Sequence, residues 1–555
     1  MTAVTTNENS RKPNPWLVLF LVSIPVFIGS LDLTIVSAFL PEIIINFELP
    51  IQTVIDDAAW VITAYLLAYT VSMTFMGRVS DLIGRRRTYI ACLIIFALGS
   101  FIVAEVDPRA RTGVAQWIYN LMFRLEGSRP EPGQVALITI IIGRIVQALG
   151  AGAIVPISLA LVGDLFPSER RGRPLGLIGA IDTLGWVLGH LYGGIMVQWF
   201  SQNSEGFVSF FRSLGLDWPA PDWRALFWIN IPITIVALVV TAWVLRNVKQ
   251  ERAKGRFDFL GAILITGTLI CLVLGLGANI EIASSTSTFS ELGGLPPNAV
   301  PLLILSAVFF IAFLFVESRV SNPLFDLRIF KRRNLSMGSL INLFIGFCLM
   351  IGLVSVPILI NIRLEDSTMI SEAALQVGVL LSALTIPMAL AAMPGGWLSE
   401  RIGYAKTTAI GLGIALIGFA AIGFTWNASI GYELVALEMV LVGIGLGLTF
   451  SPISGAVIDA ADHDKLGAAS ALVIIMRLLG MTISVSLLTA LASQRLSYLA
   501  FQALGAQSGD PFAAYDVYLR LTIQVLSEMG IAGALICGVA LIPALMMRGR
   551  GKAGV

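Results

Sequence analysis

The sequence predicts an all-α membrane protein with 14 transmembrane helices: two six-helix bundles, two linker helices between them, and both termini cytoplasmic. Three observations carry that expectation. The chain of 555 residues is 56% apolar and 13% charged, with a mean hydropathy of +0.85, whereas soluble domains carry about 25% charged residues. Fourteen apolar runs are long enough, or nearly so, to cross a hydrocarbon core as helices, which takes about 20 residues. With the N-terminus inside and the runs alternating, about 25 Lys/Arg fall on inside segments and about 9 on outside loops. One span too many or too few would destroy that bias.

The runs lie at roughly 16–40, 59–77, 88–104, 135–160, 174–200 and 225–247 in a first bundle covering residues 1–250. The runs at 257–280 and 300–318 form the linker, residues 251–333. Those at 335–361, 374–396, 405–425, 433–456, 467–492 and 525–547 form the second bundle, residues 334–555. Charge-rich links, "RNVKQERAKGRFD" and "ESRVSNPLFDLRIFKRRN", flank the central pair. Six plus six with an inserted pair suits a rocking transporter better than a channel. The first run follows Arg11 and Lys12 with no small-residue cleavage site after it, so it reads as a transmembrane helix and not a signal peptide. The 53 glycines suit helices packed through small residues. Cys92, Cys271, Cys348 and Cys537 lie in apolar runs without pairwise spacing and read as buried free thiols.

Charges inside the runs point to function. Asp32 sits in "VFIGSLDLTIVSAFLPEI" with no charged neighbour until Glu42. A carboxylate at that depth costs at least a few kcal/mol unless it faces protein or water. Arg144 and Arg477 also lie within predicted spans; a guanidinium keeps its proton and must find an acceptor. Asp32 is 16 residues past Trp16 and Arg144 is 9 residues in from the opposite side. These offsets correspond to roughly 24 Å and roughly 14 Å of helix rise, so the two share a depth and are expected to face one another. Asp182, roughly 12 Å into the fifth run, is a second acid near the midplane. Glu438, near the end of its run, is expected to snorkel to the interface. Asp462–His463–Asp464 reads as a solvated turn and not a metal site.

Local motifs carry a resemblance. "GRVSDLIGRRR", Gly77 to Arg87, is a basic turn by composition, and its pattern resembles motif A of the major facilitator superfamily. The resemblance makes Gly77, Asp81, Gly84 and Arg85 a conformational latch between the bundles. "GGWLSERIGYAK" looks like a second, decayed copy with Glu400 in place of the aspartate and Gly403 retained, the mark of an internal repeat. "GRIVQALGAGA" resembles motif B, with Arg144, Gln147, Gly150 and Gly152, and implies a part for Arg144 in proton coupling. "DTLGWVLGHLYGG" resembles motif C, the antiporter ridge, with Gly185, Gly189, Gly193 and Gly194. His190 replaces the motif's proline there, which removes a kink; it reads first as a histidine bonded at a helix contact and second as a titrating group. "LDLTIVSAFLPEI", "AAWVITAYLLA" (Trp60, Tyr65), "DWRALFWINIP" (Trp223, Arg224, Asn230, Pro232) and "RLLG" (Arg477, Gly480) resemble the fourteen-helix drug:proton antiporter family in order along the chain.

The resemblance implies a proton-coupled exporter of amphiphilic or lipophilic molecules in the cytoplasmic membrane, working by alternating access. Asp32, Arg144 and Asp182 would couple the proton. Beside Arg144 the Asp32 carboxylate stays ionised; separated from it, the carboxylate takes up a proton. Similarity to the mycobacterial branch that exports triacylglycerides and partners with a lipoprotein makes lipid export the competing reading. A non-transporting sensor or scaffold is a further alternative, and one that leaves the buried charges without a role. No catalytic or metal site is expected, and no phosphate-binding loop ending in Lys-Ser/Thr appears. The proton motive force takes the place of a cofactor. Expected partners are a lipophilic small molecule or lipid, protons, membrane lipids and a surface lipoprotein, with no nucleic acid. Three long outer loops are expected at 105–134, 205–216 and 493–524, the first two as amphipathic helices lying on the membrane.

Overall fold

A computed structural model describes residues 14–36, 43, 47, 51–107, 113–213, 215, 220–248, 252–253, 255–277, 289, 296–363, 370–504 and 511–547. Among these residues the regular structure is helical. The elements before the linker are α1 (Pro15–Ile35), α2 (Ile51–Ile83), α3 (Arg85–Ala104), α4 (Gly113–Glu126), α5 (Pro132–Leu165), α6 (Gly172–Ser213) and α7 (Arg224–Val244). Then come α8 (Phe259–Leu276) and α9 (Ala299–Glu317). The rest are α10 (Arg333–Asn361), α11 (Ile370–Ile402), α12 (Tyr404–Thr425), α13 (Tyr432–Ala460), α14 (Leu466–Leu504) and α15 (Pro511–Met546).

Local chemistry sets the ends. Asn14 caps α1 by accepting the Trp16 N–H at 3.0 Å, with Pro15 in the first turn. Asp258 caps α8 by accepting the Gly261 N–H at 2.8 Å. Gly84 (φ 104°) and Gly403 (φ 89°) make the tight breaks between α2 and α3 and between α11 and α12, a backbone conformation that other residues rarely adopt. Thirteen helices are long and apolar enough to cross a membrane among the described residues. The remaining predicted span, 174–200, falls on α6.

The packing repeats. α1 lies against α5, α6 and α7; α5 takes α2 and α3; α3 takes α7. After the linker, α10 lies against α13, α14 and α15; α13 takes α11 and α12; α12 takes α15. Each pair in the first set has its counterpart in the second. The two sets meet where α2 packs on α14 and α6 packs on α11, again as counterparts. The α8–α9 hairpin packs on itself and touches α2 and α14 through α8.

Two loop expectations change. The helix expected over 205–216 is, as far as Ser213, the continuation of α6, bent at Asn203 (φ −114°, ψ 16°), with the rings of Trp199, Phe200 and Phe207 clustered at the bend. Of the 493–524 stretch, residues 493–504 end α14 and residues 511–524 begin α15, while 505–510 lie outside the described residues. α14 has 39 residues and α15 has 36, roughly 58 and 54 Å of helix, so the hairpin outruns a core of about 30 Å. Arg495 clamps it with two 3.0 Å hydrogen bonds to the carboxylate of Glu528. Over 105–134 the expected helix is α4, which buries Ala115 and Ile118 against Val135 and exposes Trp117, Leu121 and Leu125.

Candidate functional site

Asp32 and Arg144 are both wholly buried and meet as an ion pair. Arg144 Nη1 donates to Asp32 Oδ2 at 2.6 Å, and Nη2 donates to the Asp32 carbonyl at 3.1 Å. Asn230 on α7 donates to Asp32 Oδ1 at 2.8 Å, so three helices converge on one carboxylate. Around the guanidinium, Gln147 Oε1 accepts from Nη1 at 2.7 Å, and the Tyr65 ring stacks 3.7 Å from Cζ. Gln147 is in turn oriented by donating to Ser100 Oγ at 2.8 Å. Small residues allow this convergence: a side chain at Gly150 would collide with α3 at Cys92 and Phe96, and one at Gly152 with the Tyr69 carbonyl of α2.

The glycine ridge of α6 seats on α1. A Cβ at Gly185 would lie 2.7 Å from the Phe27 carbonyl, and one at Gly189 would collide with Thr34 and the Leu31 carbonyl. Thr34 Oγ1 donates to the Trp186 carbonyl at 2.7 Å across the same seam. Gly193 is buried further along; the side chain of His190 and the surroundings of Gly194 lie outside the described residues. Asp182, one turn before the ridge, accepts from Ser30 Oγ at 2.6 Å and stays partly exposed. It interacts electrostatically with Arg477 on α14, in the other half of the molecule. Arg477 stacks over Phe450, 4.3 Å from the ring centroid. Arg477 shares a cavity with Thr183 that has about 20 Å³ of space, room for one water and no cargo.

At one end of the molecule the halves are joined by hydrogen bonds and an ion pair. Asp81 accepts the N–H groups of Gly467 (2.9 Å) and Ala468 (3.1 Å), capping the first turn of α14. Arg85 holds Asp81 by a hydrogen bond and reaches Asp164 at 3.0 Å. A side chain at Gly77 would collide with the Gly467 carbonyl, so the glycine is what lets α2 and α14 touch. The second half mirrors the arrangement. Glu400 accepts the Arg173 N–H at 3.1 Å in the first turn of α6, and Gly396 meets Gly172 backbone to backbone. Arg171 adds a bridge across the halves to Asp459 at 2.7 Å, where Tyr404 also donates at 2.5 Å.

The sequence profile of the Major Facilitator Superfamily matches residues 22–365 and 356–506. The chain belongs to this superfamily. Within it, a triacylglyceride transporter of Mycobacteroides abscessus is 29% identical over 91% of this chain and 87% of that protein. One from Mycolicibacterium smegmatis is 27% identical over 98% of this chain and 89% of that protein. Multidrug resistance protein 3 of Bacillus subtilis is 26% identical over 88% of this chain and 80% of that protein. Among solved superfamily folds, the proton:xylose symporter XylE aligns with a TM-score of 0.55 at 12% identity, covering 94% of each chain. The human organic anion transporter MFSD10 gives 0.55 at 14% identity, covering 95% of this chain and all of that one.

Residues with no role assigned from sequence complete the cluster, among them Tyr65 and Asn230, which stand in the quoted motifs. Asn230, Tyr65, Ser100 and Ser30 are uncharged, and only contact in space gives them weight. Asp164, Asp459 and Arg171 sit at helix ends, where charge is ordinary. One expectation is corrected: Glu438 does not snorkel. It is buried and accepts from Thr425 Oγ1 at 2.5 Å and Trp426 Nε1 at 2.8 Å, which tie the end of α12 to α13. Two polar partners within reach make burial cheaper than extension. Cys348 and Cys537, free thiols without sequence spacing, lie 3.6 Å apart across α10 and α15. Among the described residues no cluster of three or more His, Cys, Asp or Glu could hold a metal.

Proposed function

We propose that this superfamily member is a secondary exporter that exchanges protons for a lipophilic molecule, with a neutral lipid of the triacylglyceride class as cargo. The observation that carries the proton coupling is the wholly buried carboxylate of Asp32, held by one permanent cation and one amide. A carboxylate is retained at such a place, against its desolvation cost, where its charge state is used. In the latched arrangement Arg144 neutralises Asp32. Rocking of one six-helix half against the other, with residues 251–333 as the linker, would shift α1 against α5, part the pair and let the carboxylate take a proton from the opposite side. Asp182 would respond to the same motion through Arg477. The latch of Gly77, Asp81, Gly84 and Arg85 would hold the cytoplasmic face shut while cargo leaves outward.

The preference for lipid rests on likeness to the relatives named triacylglyceride transporters. It is also supported by the long α14–α15 hairpin and by the apolar face of α4 at Trp117, Leu121 and Leu125, which suit an amphipathic surface in the outer leaflet. The same outer surface is where a lipoprotein partner would receive cargo. Multidrug export is the second reading, favoured by the Bacillus relative. Proteoliposomes with an imposed pH gradient, loaded in parallel with a fluorescent triacylglyceride and a cationic dye, test both. Gradient-driven lipid movement that Asp32→Asn abolishes is expected. Dye movement without lipid movement selects the drug reading, and gradient-driven export retained by Asp32→Asn sinks the coupling.

A further inference from the structure

On the latch face, one cavity has a buried cation in its wall. It measures about 250 Å³ and opens between α2, the 321–330 segment and the start of α14, with Arg78, Phe325, Leu335, Lys465 and Leu472 in its lining. Arg78 is only 6% exposed, and its Nη1 has no hydrogen-bond partner among the described residues. Its acidic neighbour on α2, Asp81, is already engaged by Arg85, Gly467 and Ala468. Lys465, the other cation in the lining, is paired with Asp326 at 2.9 Å. A guanidinium keeps its proton, so a buried nitrogen of it without an acceptor is costly unless an anion arrives from elsewhere.

We propose that this cavity binds a singly charged phosphate group, a phosphodiester, with Arg78 as its anchor. The planar guanidinium matches phosphate oxygens in a forked pair of hydrogen bonds. The carboxylates of Asp326 and the partly exposed Asp464 also border the space and select against a dianion. Leu324, Phe325, Phe330 and Leu472 supply an apolar wall for the carbon that a diester carries. Arg78 lies 5 residues before the end of α2, roughly 8 Å of helix, a depth suited to a phospholipid headgroup; a soluble diester presents the same chemistry. The walls come from both halves and from the segment joining them, so the site is whole only while the latch is closed. Its ligand therefore favours that state.

The test is native mass spectrometry of the full-length, delipidated protein in detergent with three separate probes: phosphatidylglycerol, its deacylated headgroup glycerophosphoglycerol, and inorganic phosphate. Binding of phosphatidylglycerol that falls about tenfold in R78Q, and not in the exposed-residue control R87Q, is expected. The variant S321W, which plugs the mouth at an exposed residue and leaves Arg78 in place, should weaken binding similarly and decides the matter if R78Q does not fold. Arg78-dependent binding of glycerophosphoglycerol equal to that of the lipid assigns the site to soluble diesters. Inorganic phosphate as the tightest probe overturns the diester assignment. Equal binding of all probes by wild type, R78Q and S321W overturns the site itself.

Discussion

Arg144 grips Asp32 twice: its guanidinium donates to the carboxylate at 2.6 Å and to the backbone carbonyl of the same residue at 3.1 Å. The second bond ties the arginine to the path of α1 and not only to a charge, so helix movement and pairing are linked. Breaking a buried pair from one side leaves a charge uncompensated, which costs about 3–5 kcal/mol. Arg144→Leu is therefore expected to lower stability by about that much, and Asp32→Leu/Arg144→Leu to recover at least half of it. Denaturant titration of the purified protein measures both. Arg144→Lys keeps the charge but cannot make both contacts, and should slow gradient-driven transport while folding normally.

The two carboxylates that join the halves, Asp81 and Glu400, differ in shielding. Asp81 is wholly buried and caps two N–H groups, whereas the Arg173 that faces Glu400 is 51% exposed. Asp81→Ala should open this face roughly tenfold more often, and Glu400→Ala only a few-fold. Ser470→Cys, wholly buried near the first turn of α14, reports the opening through its labelling rate with a small maleimide. Equal rates in the two variants would contradict the ranking.

Glu438 illustrates an intramembrane acid with a structural task. Its two donors, Thr425 and Trp426, lie in the same half as Glu438, at the end of α12 and in the turn after it. Glu438→Leu strands the buried Trp426 N–H, while Thr425 keeps the Ala421 carbonyl at 2.9 Å as its acceptor, and should cost about 2 kcal/mol. Glu438→Gln keeps an acceptor and should leave the pH dependence of transport unchanged, which a proteoliposome assay at several gradients would reveal.

Much of this architecture was legible because burial in lipid allows few alternatives: apolar runs must be helices, and the turn glycines Gly84 and Gly403 marked the repeat in the chain itself. The depth of Asp32 and Arg144 followed from helix rise alone. Asn230 and Tyr65 stood out in the motifs, but their roles did not, since an amide and a ring gain their role from which face of a helix they share with a charge. Glu438 misled for the opposite reason. Its place near a helix end suggested water, while its partners came from the neighbouring α12 and the turn after it. The 42-residue α6 and the long α14 could not be foreseen, because polar residues past the membrane edge do not reveal whether a helix continues.

Asp326 and Lys465 join the 321–330 segment to the start of α14, with N–O at 2.9 Å. Burial pushes the Asp326 carboxyl up, but hydrogen bonds from Lys465 and the Arg328 N–H, with the Lys465 charge, outweigh it and hold the group below its ordinary 3.8. A depressed carboxylate stabilises the fold above its unfolded value and loses that contribution as pH falls through the native one. Wild type should thus exceed Asp326→Asn in melting temperature at pH 5–7 by a constant small margin, as suits a quarter-exposed pair. The margin should shrink below pH about 3.8 and vanish in stronger acid. Thermal scans across that range check the window.

Asp182 and Arg477 stand on opposite halves, and this makes them separable from the Asp32–Arg144 pair, which lies within one half. Asp182 has a local partner in Ser30, while Arg477 Nε has no hydrogen-bond partner among the described residues and rests on the Phe450 ring. The attraction between them therefore acts across the seam between the two halves, and it gives each half a stake in the charge of the other. If that attraction is used in the cycle, Asp182→Asn and Arg477→Gln should each slow gradient-driven export by about tenfold. The double variant should then be no slower than the worse single one, because the second change removes nothing further. Multiplying losses would mean two independent tasks. Asp32→Asn combined with Asp182→Asn completes the comparison: if the acids carry separate steps, that pair should multiply where the cross-half pair does not.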